Sequence, residues 1–233
     1  MIEVVFFDAG ETILHPHPSF PELFASTSRE HGFDVTPDEI APVLYGMVRN
    51  LATVAEEARV ESPSLSEVES HRFWTYLYSR CLEQLGINDE SLPDELYKVF
   101  SDMSTYRLFD DVLPTLGRLA EEGYALGLIS NFEGWLEELL VELEVGHVFD
   151  YSVISGVEGI EKPDPRIYEL ALERAGTTAS AAMHIGDSMM MDVEPATSVG
   201  IRAVLLDRSG RHPEVDCPSI SSLEELPDLI SKF

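Results

Sequence analysis

Five short apolar segments, set apart by helical patterns, constrain this 233-residue chain more than any other feature. They are IEVVFFD (2–8), YALGLIS (124–130), YSVIS (151–155), AMHIGD (182–187) and IRAVLLD (201–207). Each is short, rich in β-branched or aromatic residues and bounded by turn formers, which predicts buried parallel strands. Helical patterns fill the later intervals. DVLPTLGRLAEEG carries Pro114 in its first turn and Gly123 past its end. EGWLEELLVELEVG closes at Gly146, DPRIYELALERAG runs from Pro165 to Gly176, and DVEPATSVG predicts a short helix ending at Gly200. Strands alternating with helices predict an α/β fold with a doubly wound, Rossmann-like parallel sheet. The tail HPEVDCPSISSLEELPDLISKF reads as a loop and a short terminal helix.

The first and second strands are far apart, and the interval is helical in pattern. The expected division is therefore an α/β core of residues 1–15 and 108–233, interrupted by a helical domain at 16–107. PSFPELFASTSREHGF puts Phe20, Leu23, Phe24 and Thr27 on one face. TPDEIAPVLYGMVRNLATVAEEAR opens with Thr36 and Glu39, and SEVESHRFWTYLYSRCLEQLG with Ser66 and Glu69, each spaced as a capping box. DELYKVFSDM makes a fourth helix. The aromatics Phe73, Trp74, Tyr76 and Tyr78 read as core of this insert.

Composition removes several function classes. The formal net charge is −28, and the lysines are Lys98, Lys162 and Lys232. Such a surface repels the phosphate backbone of nucleic acid. No apolar run approaches the roughly 18 residues of a membrane span, and the N-terminus lacks the basic start of a signal peptide. The expectation is a soluble, cytoplasmic protein with no membrane partner. Cys81 and Cys217 have neither disulfide-framework nor metal spacing, and read as reduced thiols.

In open α/β sheets, ligands bind beyond the carboxyl ends of the strands. The residues at those ends are Asp8, Ser130-Asn131, Ser155 and Gly186-Asp187-Ser188, and Lys162 follows the third strand by a short loop. Carboxylates, hydroxyl, amide and ammonium on one rim are the parts of a Mg²⁺–phosphate site. Carboxylates hold the hard cation by oxygen, and cation and lysine spread the charge of a phosphoryl group. Several residues nearby carry plainer readings. His15 and His17 fit a loop where the chain leaves the core, His184 a satisfied core histidine, and Met189-Met190-Met191 core filler.

FFDAGETIL, LISNF, EKPDP and IGDSMMMDV, in that order, resemble the four motifs of the haloacid-dehalogenase-like hydrolase superfamily. The helical insert after the first motif is similar to that superfamily's small cap, which would close over the site. The resemblance spans nearly the whole chain and implies a sheet order of 5-4-1-2-3 in chain-order strands. It implies that Asp8 is a nucleophile forming an aspartyl-phosphate on a small phosphorylated metabolite. Asp8, Asp187 and the Gly10 backbone carbonyl would hold Mg²⁺. Thr12, Ser130, Asn131 and Lys162 would hold the phosphoryl group, with Ser130 and Lys162 also serving catalysis, and Asp192 would stand behind the metal ligands.

One position departs from that pattern. The phosphatases of the superfamily usually carry an aspartate two residues after the nucleophile, where it protonates the leaving group and then activates water. Here the residue is Gly10. Three resolutions stay open: a substrate with a good leaving group, Glu11 as a substitute acid or base, or a protein that binds phosphorylated ligands with weak turnover. The superfamily's dehalogenases need no metal and carry a serine-asparagine pattern in the fourth motif, where this chain has Asp187. Its phosphonate-cleaving members need a cap lysine, for which the insert offers Lys98.

Overall fold

The computed structural model describes residues 1–212 and 214–232; Pro213 and Phe233, both in the tail expected to be loop and terminal helix, lie outside the described residues. The chain divides into two compact units, one of Met1–Leu14 with Leu108–Phe233 and the other of His15–Arg107. In chain order it runs β1 (Val4–Phe7), β2 (Leu14–Pro16), then the helices α1 (Phe20–Glu30), α2 (Pro37–Val48), α3 (Leu51–Ala58), α4 (Glu67–Gln84) and α5 (Leu92–Phe100). It returns through β3 (Tyr106–Leu108), which pairs with β2. There follow α6 (Val112–Glu121), β4 (Ala125–Ser130), α7 (Leu136–Glu142), β5 (Tyr151–Ile154), α8 (Ser155–Glu158) and α9 (Pro165–Ala175). The last elements are β6 (Ala182–Gly186), α10 (Glu194–Ser198), β7 (Arg202–Leu206), β8 (Ser219–Ile220) and α11 (Leu226–Ile230).

The first unit is built on a parallel sheet in the order β5-β4-β1-β6-β7-β8. Its first five members follow the expected order. The addition is β8, which pairs Leu205 with Ser219 in a segment read as loop. Two residues are too few to show periodicity. In the central strand β1, Val4 and Phe6 face one way and Val5 and Phe7 the other, and all are buried. A strand covered on both faces explains the unbroken apolar run. Phe7 lies level with Leu128 of β4 and Ile185 of β6, so the next residue, Asp8, leaves the sheet at its carboxyl rim.

Local chemistry sets most helix ends. Pro165 opens α9 and Gly176 closes it at φ 61°. Two helices are shorter or less regular than the pattern predicts. The helix expected to close at Gly146 ends at Glu142, and Glu144 sits at φ 56° before a 3₁₀ turn at Gly146–Val148. Ahead of α10 the chain forms one π-turn over Met189–Val193, in which Val193 N–H donates to Ser188 O. Such turns often mark functional sites. Met190 is 53% exposed there, so the methionine run is not simple core filler.

The second unit is helical, with Phe24, Ile40, Leu44, Phe73, Leu77 and Tyr78 in its core and Phe20, Trp74 and Tyr76 packed against it. The helix expected over 36–59 breaks into α2 and α3. Asn50 Nδ2 donates to Gly46 O at 2.9 Å, which takes a carbonyl from the helix ladder. Thr36 and Glu39 make the full capping box, whereas Ser66 accepts from Glu69 N–H, one half of the expected box. Cys81 is buried and Cys217 half-buried, and both are free thiols. His15 Nδ1 pairs with Pro16 O, and its ring meets His17 edge to face. No helix among the described residues is long and apolar enough to cross a membrane.

Candidate active site

Asp8 reaches the rim because β1 ends there, its N–H donating to Ile185 O at 2.8 Å. The chain then turns at once: Thr12, Ile13 and Leu14 all donate to Ala9 O, and Glu11 N–H donates to Leu14 O. Closing so tight a turn puts Glu11 at φ 57°, a left-handed conformation unusual for glutamate. Gly10 lies between them, and a Cβ built on it meets no atom within 4 Å.

Lys162 comes from the loop after α8. Its backbone is clamped by Asn131, whose Oδ1 accepts from Lys162 N–H at 2.6 Å and whose Nδ2 donates to Lys162 O at 2.7 Å. So fixed, the side chain runs inward to 3% exposure, and Nζ donates to Asp8 Oδ1 and to Asp192 Oδ1, each at 2.6 Å. Burial works against the charged amine, but Asp192 and Asp8 outweigh it and hold its pKa above the ordinary value.

Asp192 sits on the π-turn. Besides Lys162 it accepts from His184 Nε2 at 3.0 Å on Oδ1 and from Ser188 N–H at 3.0 Å on Oδ2. Burial would raise its pKa, but Lys162 and His184 hold it below the usual carboxylate range. Gly186 makes this approach feasible, since a Cβ there would lie 2.1 Å from Asp192 Cγ. His184 is therefore not an ordinary satisfied core histidine: one nitrogen serves Asp192, while Nδ1 has no hydrogen-bond partner among the described residues. Ser188 Oγ accepts from Met191 N–H, so the cap of this turn is Ser188, leaving the Asp187 carboxylate free of that task.

The carboxylate oxygens of Asp8, Asp187 and Asp192 lie within 4.8 Å of one another. Among the described residues Asp187 makes no ion pair with a lysine; its ion partner is Arg211 Nη2 at 3.7 Å. Burial and the neighbouring Asp192, Asp8 and Glu11 push its pKa well up, with Arg211 opposing. An all-oxygen donor set this crowded with negative charge fits a hard divalent cation. Glu11 is exposed, and partial desolvation on the turn raises its pKa against the pull of Arg211 and Arg208.

The structure thus brings together Asp8, Lys162, Asp187 and Asp192, with Asn131 behind Lys162. Ser130 closes β4, buried, directly before Asn131. Thr12 stands apart from the ion pairs: it is fully buried, its Oγ1 has no hydrogen-bond partner among the described residues, and its carbonyl accepts from Arg208. Arg208 and Arg211, which sequence reasoning did not single out, sit in the loop after β7. Their signal was available, because cations are scarce in so acidic a chain.

The family model described as haloacid dehalogenase-like hydrolase matches residues 2–200. The chain is 29% identical to Haloacid dehalogenase-like hydrolase domain-containing protein 3 of Danio rerio, over 96% of this chain and 94% of that protein. It is 32% identical to a phosphoserine phosphatase of Thermus thermophilus, over 67% of this chain and 64% of the relative. A crystal structure titled 2-haloacid dehalogenase from Pseudomonas syringae pv. Tomato aligns with TM-score 0.63 and 27% identity, over 100% of this chain and 99% of the other.

Proposed function

The chain belongs to the haloacid dehalogenase-like hydrolases, and within that family we propose that it is a Mg²⁺-dependent phosphohydrolase acting on a small phosphorylated molecule through an aspartyl-phosphate on Asp8. The observation that carries this reading is the position of Asp187. Its carboxylate lies beside those of Asp8 and Asp192 and, among the described residues, makes no ion pair with a lysine, whereas attack on a carbon–halogen bond needs no such cluster. The phosphatase named among the relatives supports the same direction.

Asp8, Asp187 and the Gly10 carbonyl would hold the cation. When bound, Mg²⁺ would neutralise phosphoryl oxygens and orient the phosphorus toward Asp8. Lys162 holds the Asp8 carboxylate in place and offers positive charge to the phosphoryl oxygens. Asn131 fixes the Lys162 backbone, and Asp192 fixes its amine. Ser130 and Thr12 would contribute hydroxyl donors. The unit of His15–Arg107 would serve as the cap that selects substrate. The phosphonate-cleaving reading loses ground because Lys98 is exposed and paired with Glu95 on its own helix.

The test is hydrolysis of aryl, acyl and sugar phosphates with Mg²⁺ and with chelator, alongside 2-chloropropionate without metal. Mg²⁺-dependent phosphate release that Asp8→Asn abolishes is the expected result. Release of chloride with no phosphatase activity would overturn it. Binding of a phosphate analogue without turnover would favour the second reading, a weakly catalytic phospho-ligand binder, which the empty side-chain position at Gly10 recommends.

A further inference from the structure

Most of the side chains described around Asp8 are already committed to other partners. Lys162 is nearest, but its ammonium already donates to Asp8 and Asp192 at 2.6 Å each. Both Asp192 oxygens are already taken, Oδ1 by Lys162 Nζ and His184 Nε2 and Oδ2 by Ser188 N–H. Asp187 belongs to the carboxylate cluster assigned above to the cation. Arg208 and Arg211 are guanidiniums, which do not release protons in proteins. Gly10, two residues beyond Asp8, presents only hydrogen, and the space where a side chain would stand is open to at least 4 Å. Glu11, by contrast, is an exposed carboxyl at φ 57° on the turn, one residue out of register from position 10, and its variant is part of the test below.

An alkoxide is about as basic as hydroxide, whose conjugate acid has pKa ~15.7, so it departs from phosphorus poorly without a proton. A carboxylate or phenolate departs without one. We propose that the substrates of this site are phosphates with a resonance-stabilised leaving oxygen, acyl or aryl phosphates, rather than alkyl phosphomonoesters. The proposal rests on the phosphohydrolase reading above and narrows it. It also separates this chain from its phosphoserine phosphatase relative, whose named substrate is an alkyl phosphate.

The steps balance without an added acid. Asp8 Oδ bonds to phosphorus as the bond to the leaving oxygen breaks, and that oxygen keeps the electron pair as carboxylate or phenolate. The product, phospho-Asp8, is itself an acyl phosphate. Water then adds to phosphorus, the Asp8–phosphorus bond breaks with its pair returning to the carboxylate, and the protons of water leave with inorganic phosphate. No side chain at position 10 assists that second attack, so the phosphorylated form should accumulate.

The decisive measurement is kcat/KM of the full chain with Mg²⁺ over a series of aryl phosphates of graded leaving-group pKa, with acetyl phosphate and glycerol phosphate at the two ends. The expected dependence is steep, with alkyl phosphates about 10² to 10⁴ below aryl, the usual worth of a missing acid. Gly10→Asp should close at least ~10-fold of that gap, because the space exists to receive it. Gly10→Asn adds the same bulk without an acid and should leave the gap wide. A flat dependence in the wild type, which needs no variant to fold, would overturn the proposal. So would a gap that Gly10→Asn closes as well as Gly10→Asp. A flat dependence that turns steep in Glu11→Gln would give the proton to Glu11 and overturn it too. Intact mass after mixing with acetyl phosphate separates the two levels. A phosphoryl adduct absent from Asp8→Asn, together with flat kinetics, removes only the narrower proposal. No adduct and no aryl hydrolysis removes the phosphohydrolase reading with it.

Discussion

Lys162 and Asp8, 154 residues apart in the chain, meet with Nζ 2.6 Å from Oδ1, and the same amine reaches Asp192 at 2.6 Å. All three groups are buried. The contact joins the strand-end carboxylate of β1 to the loop after α8 and to the π-turn before α10, so one cation fixes three segments of the sheet rim.

Removing that cation should be severe. Lys162→Met keeps the bulk but leaves two buried carboxylates facing each other. Breaking a buried ion pair by deleting one partner costs about 3–5 kcal/mol, against a typical total of about 5–15. Urea denaturation should show a loss in that range, with phosphatase activity abolished. A loss under ~1 kcal/mol, as at a surface pair, would show that the amine is solvated in solution.

Gly186→Ala should act on the same group from the other side. The new Cβ would stand 2.1 Å from Asp192 Cγ, closer than atoms approach without something moving. Overpacking of this kind costs about 1–3 kcal/mol. Because Asp192 holds Lys162, the displaced carboxylate should also lower kcat more than it raises KM. Thermal melts and steady-state kinetics read the two effects.

Much of this was legible in the sequence because strand ends deliver side chains to one rim whatever lies between them. Asp8, Asp187 and the Lys162 loop could be placed from apolar runs and turn residues alone. What stayed hidden depends on contacts made in three dimensions. His184 lies within an apolar strand, and nothing in its neighbours signals that Asp192 will fold back onto it. At the division between α2 and α3, Asn50 bonds back to Gly46 O, a contact that the helical pattern around it does not announce. Strand β8 is two residues long, below the reach of any periodicity.

A buried carboxylate outside the cluster of Asp8, Asp187 and Asp192 gives a pH prediction. Asp111 accepts from Arg208 at 2.8 and 2.9 Å, from Ser222 Oγ at 2.9 Å and from Leu223 N–H at 2.9 Å. Burial would raise its pKa, but Arg208 and these donors outweigh burial and lower it. A carboxylate with a folded pKa below its unfolded value stabilises the fold above the unfolded value, ~3.9, and loses that contribution as pH falls through the folded one. Asp111→Asn should therefore cost about 1–2 kcal/mol at neutral pH. The difference from wild type should shrink as pH drops below ~4, measured by chemical denaturation across that range.

The acidity of the chain predicts a response to salt. A net charge of −28 with so few lysines leaves like charges facing one another over much of the surface. Self-repulsion destabilises the compact state, and it is screened over about 10 Å at 0.1 M salt. Raising KCl from low to molar concentration should raise Tm by several degrees. A surface dominated by favourable ion pairs would respond in the opposite direction, so a falling Tm would contradict the reading.

Asp187 allows metal binding to be tested apart from turnover. Without a cation its carboxylate is hemmed by Asp8, Asp192 and Glu11, with Arg211 the opposing charge. Asp187→Asn keeps the shape and takes this group out of that repulsion, so in chelator the variant should be at least as stable as wild type. Adding Mg²⁺ should reverse the order. A ligand bound by the folded state alone stabilises by about 2.7 kcal/mol at a hundredfold excess over Kd, and the wild type should gain this while the variant gains little. Thermal melts with and without Mg²⁺ measure both halves. A variant that still responds like wild type would show that the cation is held elsewhere. A variant less stable in chelator would show that Asp187 serves the fold more than the cation.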